Sequence, residues 1–146
     1  MDSMRLSQAA ELAVRGMVVL AEHHGKDPVP LADICRRRDM AREYLVKIFA
    51  LLARAGIVIP IRGKRGGYTL ARCPEEISLL EVIEAVEGPI SLNLCQHDPP
   101  QCDEYDCPFR PVWADLQDTV RGKLGAVTLA DALPLRNKDA AVEGAG

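Results

Sequence analysis

The segment that most constrains what this chain can fold into is Ile57-Val-Ile-Pro-Ile-Arg-Gly-Lys-Arg-Gly-Gly-Tyr-Thr-Leu70. Two short apolar stretches, Ile57 to Ile61 and Tyr68 to Leu70, flank Arg62-Gly-Lys-Arg-Gly-Gly67, and the glycines open the backbone angles that a tight hairpin needs. Pro60 has no N–H to give to a further strand, so the ribbon must be an edge. A strand pair with a basic tip projects outward rather than packing into a core.

Helices precede it. From Ser7 to His24 the apolar residues Leu12, Met17, Val18 and Leu20 recur at helical spacing, Ser7 is a plausible N-cap, and Gly25 stands where a helix stops. After Asp27-Pro-Val-Pro30 a short helix runs from Leu31 to Arg38 and turns near Asp39. A third runs from Arg42 to Ala55, burying Leu45, Ile48, Phe49 and Leu52, with Gly56 as its stop. Two helices separated by about three residues have the spacing of a helix-turn-helix, and the hairpin that follows makes a wing.

Beyond the hairpin, Ser78-Leu-Leu-Glu81 has the form of a capping box opening a helix to about Val86, stopped by Gly88-Pro89. Trp113, Leu116, Val120, Leu124 and Val127 fall at intervals of three and four, the stripe of a longer helix starting near Pro111. Thr128-Leu-Ala-Asp131 caps one more turn. Little else is left in the chain to cover that stripe, so Trp113, Leu116, Val120 and Leu124 are read as a dimer seam, the alternative being that they pack back on the first helix. The expected fold is mainly α with a small β-hairpin wing: a winged helix-turn-helix plus a long C-terminal dimerisation helix. The expected organisation is a DNA-binding region over 1–73, a loop and dimerisation helix over 74–133, and a disordered tail over 134–146.

With 146 residues there is room for one compact domain, and one Trp, three Tyr and two Phe leave the core to aliphatic side chains. No apolar run is long enough to span a bilayer and the N-terminus lacks the pattern of a secretory leader, so we expect no membrane partner and a cytoplasmic location. The net charge is −3, but Arg36 to Arg72 holds ten Lys and Arg against two acids, a balance of +8, which leaves −11 for the rest. That asymmetry is a footprint for phosphate.

In a winged helix-turn-helix the second helix of the pair lies in the major groove of double-stranded DNA. This assigns Arg42, Glu43, Val46 and Lys47 to the groove side: Arg42 suits guanine, Glu43 a cytosine amino group and Lys47 a phosphate. Arg62, Lys64 and Arg65 on the wing suit a minor groove, and Arg36, Arg37 and Arg38 the backbone.

Cys95, Cys102 and Cys107 stand in a C-x6-C-x4-C pattern in a loop that Asp98-Pro-Pro100 keeps from being helical. Five cysteines in a reducing compartment are thiols or ligands rather than disulfides, and close loop spacing favours ligands for this triplet. Cys35 and Cys73 are isolated, and His23 and His24 look like a solvated helix end. The spacing leaves zinc and an iron-sulfur cluster both open, with His97 the nearby candidate for a fourth donor.

The segments Met4-Arg-Leu-Ser7, Val29-Pro-Leu-Ala-Asp-Ile34, Tyr44-Leu45, Ile48-Phe49, Arg62-Gly-x-x-Gly-Gly-Tyr68, Glu84-Ala-Val86, the cysteine triplet, Trp113 and Thr128-Leu-Ala-Asp131 together resemble the Rrf2 family of winged helix-turn-helix transcription regulators. The resemblance implies a homodimer with crossing long helices. It also implies an iron-sulfur cluster, 2Fe-2S or 4Fe-4S, held by the three cysteines and one further ligand, sometimes from the partner subunit's first helix. One branch of the family has a histidine three residues after the last cysteine, where this chain has Arg110, which cannot ligate. In another branch the ligand is an acid of the first helix, a place occupied here by Glu11, while a histidine found one turn later in some members is replaced by Arg15. The implied set is Cys95, Cys102, Cys107 and Glu11, with His97 as substitute.

Gain, loss or oxidation of such a cluster would shift DNA affinity, and Asp98, Asp103, Glu104 and Asp106 would favour its more oxidised form. Two other readings compete. One keeps the winged helix and places a structural zinc in the loop; the other makes the chain an iron-sulfur electron-transfer module, which has no use for the +8 segment. Nothing marks an enzyme: there is no nucleophile with its base, no phosphate-cradling glycine loop and no distinct pair of catalytic acids.

Overall fold

A computed structural model of the chain describes residues 5–38 and 41–133, without the side chains of Arg37 and Arg38. Helix α1 spans Gln8–Glu22, α2 Leu31–Arg38 and α3 Arg42–Arg54; strands β1, Val58–Ile61, and β2, Gly67–Leu70, form the hairpin; α4 spans Leu79–Glu87 and α5 Arg110–Ala126. The expected tail over 134–146, like Met4 and the turn at Asp39, lies outside the described residues.

Local chemistry sets the boundaries. Ser7 Oγ accepts from the Ala10 N–H at 3.1 Å and opens α1. Ser78 and Glu81 exchange hydrogen bonds at 3.1 and 3.0 Å, a complete capping box for α4. Gly56, at φ +78, turns the chain from α3 into the hairpin.

One aliphatic core joins these elements. Leu12, Met17 and Leu20 of α1, Ile34 of α2, Leu45, Ile48, Phe49 and Leu52 of α3, Ile57, Val58 and Leu70 around the hairpin, Ile77, and Val82 of α4 all belong to it. Gly16 lets α3 approach α1 closely, since a Cβ there would stand 3.0 Å from the Phe49 ring.

The hairpin pairs Val58 with Leu70 and Ile61 with Gly67 in antiparallel register. It is not a free ribbon. Val29, in the link between α1 and α2, pairs with Tyr68 through Val29 N–H to Tyr68 O and Tyr68 N–H to Val29 O, both 2.9 Å. The Tyr68 ring in turn lies 4.7 Å from that of Phe49 on α3.

Beyond α4 the character changes: no residue from Glu84 to Thr128 is buried. α5 packs on α4 and on the short 3-10 turn Leu94–Gln96, and it has no buried residue of its own. The chain then returns to the core. Ser78 and Thr128 form an antiparallel bridge, with Leu79 N–H donating to Val127 O at 2.8 Å and Leu129 N–H to Ile77 O at 3.0 Å, and Leu129 is only 2% exposed.

Candidate nucleic-acid interface and cysteine loop

α3 is two-sided. Leu45, Ile48, Phe49 and Leu52 are buried, while Arg42, Glu43, Val46 and Lys47, the residues expected to face the groove, are exposed. Tyr44 and Arg54 share the exposed surface. Arg54 was not among the expected contacts; its spacing of two helical turns from Lys47 carries the signal that it lies on the same face. Arg36 is exposed on α2 with its guanidinium bonded to Asp33, one turn earlier, and the side chains of Arg37 and Arg38 lie outside the described residues.

Arg62, Lys64 and Arg65 are all exposed at the hairpin tip. The tip closes through Gly66 N–H to Gly63 O at 3.0 Å, and a Cβ on Gly66 would meet Ile61 O at 2.3 Å. Through Tyr68, Phe49 and Val29 the hairpin is fixed to α3, so the basic tip and the exposed face of that helix are held in one frame. Rigid presentation of several cations suits a regular polyanion better than a mobile small ligand.

Cys95, Cys102 and Cys107 are free and half-buried. Cys95 lies in the 3-10 turn against α5 and accepts from Gln96 Nε2 at 3.3 Å. At the other end of the loop, the Cys107 carbonyl accepts from the Arg110 N–H at 3.2 Å, where α5 begins. Arg110 Nη2 donates to Glu104 O at 3.2 Å and its guanidinium lies 5.6 Å from the Tyr105 ring centre. Its Nε is buried without a hydrogen-bond partner, an orphaned donor behind the loop.

Three soft thiols and an orphaned cationic donor fit a sulfur-rich anionic group in their chemistry. In position they are not gathered: among the described residues no three His, Cys, Asp or Glu side chains come together within reach of one metal ion. His97 lines a groove with Gln96, Gln101, Gln117, Val120 and Leu124, and none of the three cysteines lines it. Glu11 is exposed in the first turn of α1, beside Glu87 and Gln8.

Comparison with known proteins decides the family. The pattern of the Rrf2 family, Iron-dependent Transcriptional regulator, matches residues 6–134. The chain belongs to the Rrf2 family. It is 36% identical over 140 residues to the HTH-type transcriptional regulator IscR of Serratia proteamaculans, covering 95% of this chain and 84% of that protein. To IscR of Photorhabdus laumondii it is 36% identical over 129 residues, 88% of this chain and 78% of that one. Among solved structures it is similar to CymR, the global cysteine regulator of B. subtilis, with a TM-score of 0.77, 32% identity and coverage of 88% and 95%. It is also similar to T. potens IscR, with a TM-score of 0.74, 31% identity and coverage of 94% and 88%.

As a member of the Rrf2 family this chain is a DNA-binding transcription regulator with a winged helix, and not an enzyme. No helix among the described residues is long and apolar enough to cross a membrane.

Proposed function

We propose that this Rrf2 protein is a homodimer whose affinity for a promoter operator is controlled by an iron-sulfur cluster in the Cys95 to Cys107 loop. Residues 1–73 read the DNA, with Arg36, Arg37, Arg38, Arg42, Glu43, Val46, Lys47, Arg62, Lys64 and Arg65 in contact, and residues 74–133 regulate it. The observation that carries this reading is the absence of any buried residue from Glu84 to Thr128. A 17-residue helix with an apolar stripe and no buried residue needs a second surface, and a copy of itself offers one through Trp113, Leu116, Val120 and Leu124. A loop without a core needs another organiser.

The ligands are Cys95, Cys102 and Cys107, with Glu11 as the fourth, offered from the exposed first turn of α1 to the loop of the second copy. His97 is the substitute. When bound, a cluster supplies covalent bonds among the loop thiolates and a charge that changes with oxidation state. The chain does the rest. Cys95 and Cys107 are attached to α5 by the 3-10 turn and by the Arg110 N–H, so ordering of the loop is felt at the proposed dimer helix. Asp98, Asp103, Glu104 and Asp106 oppose added negative charge there.

Iron and sulfide analysis with a visible spectrum of anaerobically purified protein tests the metal, and sedimentation tests the dimer. Iron and sulfide in a coloured dimer are expected. A colourless protein carrying zinc would replace the sensor with a structural clip, and a monomer would remove the seam.

A further inference from the structure

α4 carries three acids one turn apart, and each holds a different part of the chain. Glu81 Oε1 accepts from Arg72 Nη2 at 2.6 Å, two residues beyond the end of β2. Glu84 Oε2 accepts from Arg121 Nη1 of α5 at 2.5 Å and also from the backbone N–H of Ile90 at 2.8 Å. Glu87 Oε1 accepts from the N–H of Ser7, the cap of α1, at 2.6 Å. The helix itself packs against α1, α3 and α5, and its Val82 and Ile83 are fully buried. In a close-packed core such a helix cannot shift without moving what it touches.

Ile90 lies where the chain leaves α4 for the cysteine loop. Side chains hold that stretch at two backbone donors, Ile90 N–H on Glu84 and Leu92 N–H on Gln117 Oε1 of α5, the latter at 3.1 Å. A single carboxylate oxygen therefore serves both the start of the loop and the long helix. The Glu84 side chain is only 22% exposed, and a carboxylate shared by a guanidinium and an amide in such surroundings makes charge-assisted bonds stronger than those of an open surface pair.

We propose that Glu84 is a positioning residue for DNA binding, through which the placement of the cysteine loop is transmitted along α4 to Arg72, the wing and α3. When the loop draws the Ile90 N–H away, the shared oxygen is left to Arg121 alone and α4 settles differently against α5. Arg72, bonded to Glu81 one turn earlier on the same helix, follows, and so does α3. The inference rests on the DNA-binding function of the family and on no metal, so it stands or falls separately from the cluster.

Two variants separate the shared acceptor from the ion pair. Glu84→Gln keeps an oxygen for Ile90 and loses the charge. E84R combined with R121E keeps an α4–α5 ion pair and the net charge but leaves position 84 with donors only. Affinity is read by fluorescence anisotropy on a duplex selected by the parent protein from a random library. Amide exchange of Gly67–Leu70 in the DNA-free protein reports the same coupling without DNA.

The charge-exchanged variant is expected to bind about ten-fold more weakly and to exchange the Gly67–Leu70 amides faster relative to the core amides of α1, with E84Q within about two-fold of the parent. Binding as tight as the parent's in the exchanged variant, or equal weakening in both, would overturn the proposal. Should the exchanged variant not fold, Glu84→Met combined with Arg121→Met withdraws the acceptor from the Ile90 N–H at no change of net charge. It is expected to act in the same direction, and no change in either readout would overturn the proposal as well.

Discussion

Replacing Gly67 with alanine should detach the wing from its frame. A Cβ at this position would stand 2.3 Å from Val29 O and 2.4 Å from Val29 C, both backbone atoms that cannot rotate away. Relief requires a separation of about 1 Å or more, enough to break the paired bonds between Val29 and Tyr68, each 2.9 Å long. Their loss costs about 1 kcal/mol apiece, and the disturbed Phe49–Tyr68 contact about 1 kcal/mol more. A total of about 3 kcal/mol corresponds to a fall of about 10 °C in melting temperature for a domain of this size. Gly25→Ala is the control: its φ is +79 but nothing lies within 4 Å of a Cβ, so only backbone conformation is penalised, by about 1 kcal/mol. Calorimetry with amide exchange at Tyr68 distinguishes them. Equal melting shifts in the two variants, with Tyr68 still protected in G67A, would refute the reasoning.

Changing Arg62 and Arg65 to Ala together should weaken duplex binding and lower the slope of log affinity against log salt by about two, if both cations meet phosphate; an unchanged slope would remove the wing from the contact. Burial alone would raise the Glu81 pKa, but hydrogen bonds from the Ser78 backbone N–H and the Arg72 guanidinium hold it below the ordinary 4.5. The stability it contributes is therefore present above 4.5 and is lost as pH falls through the lowered value, so Glu81→Gln should flatten the acid limb of a melting curve measured against pH. Substituting Cys95, Cys102 and Cys107 by Ser should abolish iron binding while leaving the melting temperature of the metal-free protein unchanged, because none of the three is in the core. Leu116→Asp should convert a dimer to a folded monomer in sedimentation, since Leu116 is 39% exposed in the single chain.

Features governed by neighbouring residues were legible in the sequence. The Ser7 cap, the Ser78 capping box, the two-sided pattern of α3 and the glycine-bearing hairpin all depend on spacings of a few residues, and each formed as read, α5 beginning one residue ahead of Pro111. Contacts between distant segments were not. Gly66 and Gly67 read as residues needed for turn angles; what excludes a side chain there is the backbone of Ile61 and Val29. Nothing in a local pattern says that Val29 pairs with Tyr68. The acids Glu84 and Glu87 look like a solvated helix face until their partners Arg121 and Ser7 are known, and the capping-box pattern gives no sign that Glu81 also holds Arg72. In the cysteine loop the sequence indicates donor chemistry but no geometry, because a segment without buried residues has no packing to fix where its thiols stand.

The bridge between Ser78 and Thr128 gives the long excursion between them the topology of a stitched purse, its two mouths drawn together at the edge of the core. Closing a flexible loop costs only about 0.6 kcal/mol more for each doubling of its length. Residues added to or taken from the stretch between α4 and α5 therefore alter the excursion without re-registering the bridge that closes it or moving α3 in the core. A single winged-helix core can in this way carry excursions of different length and chemistry, so long as the drawstring is kept.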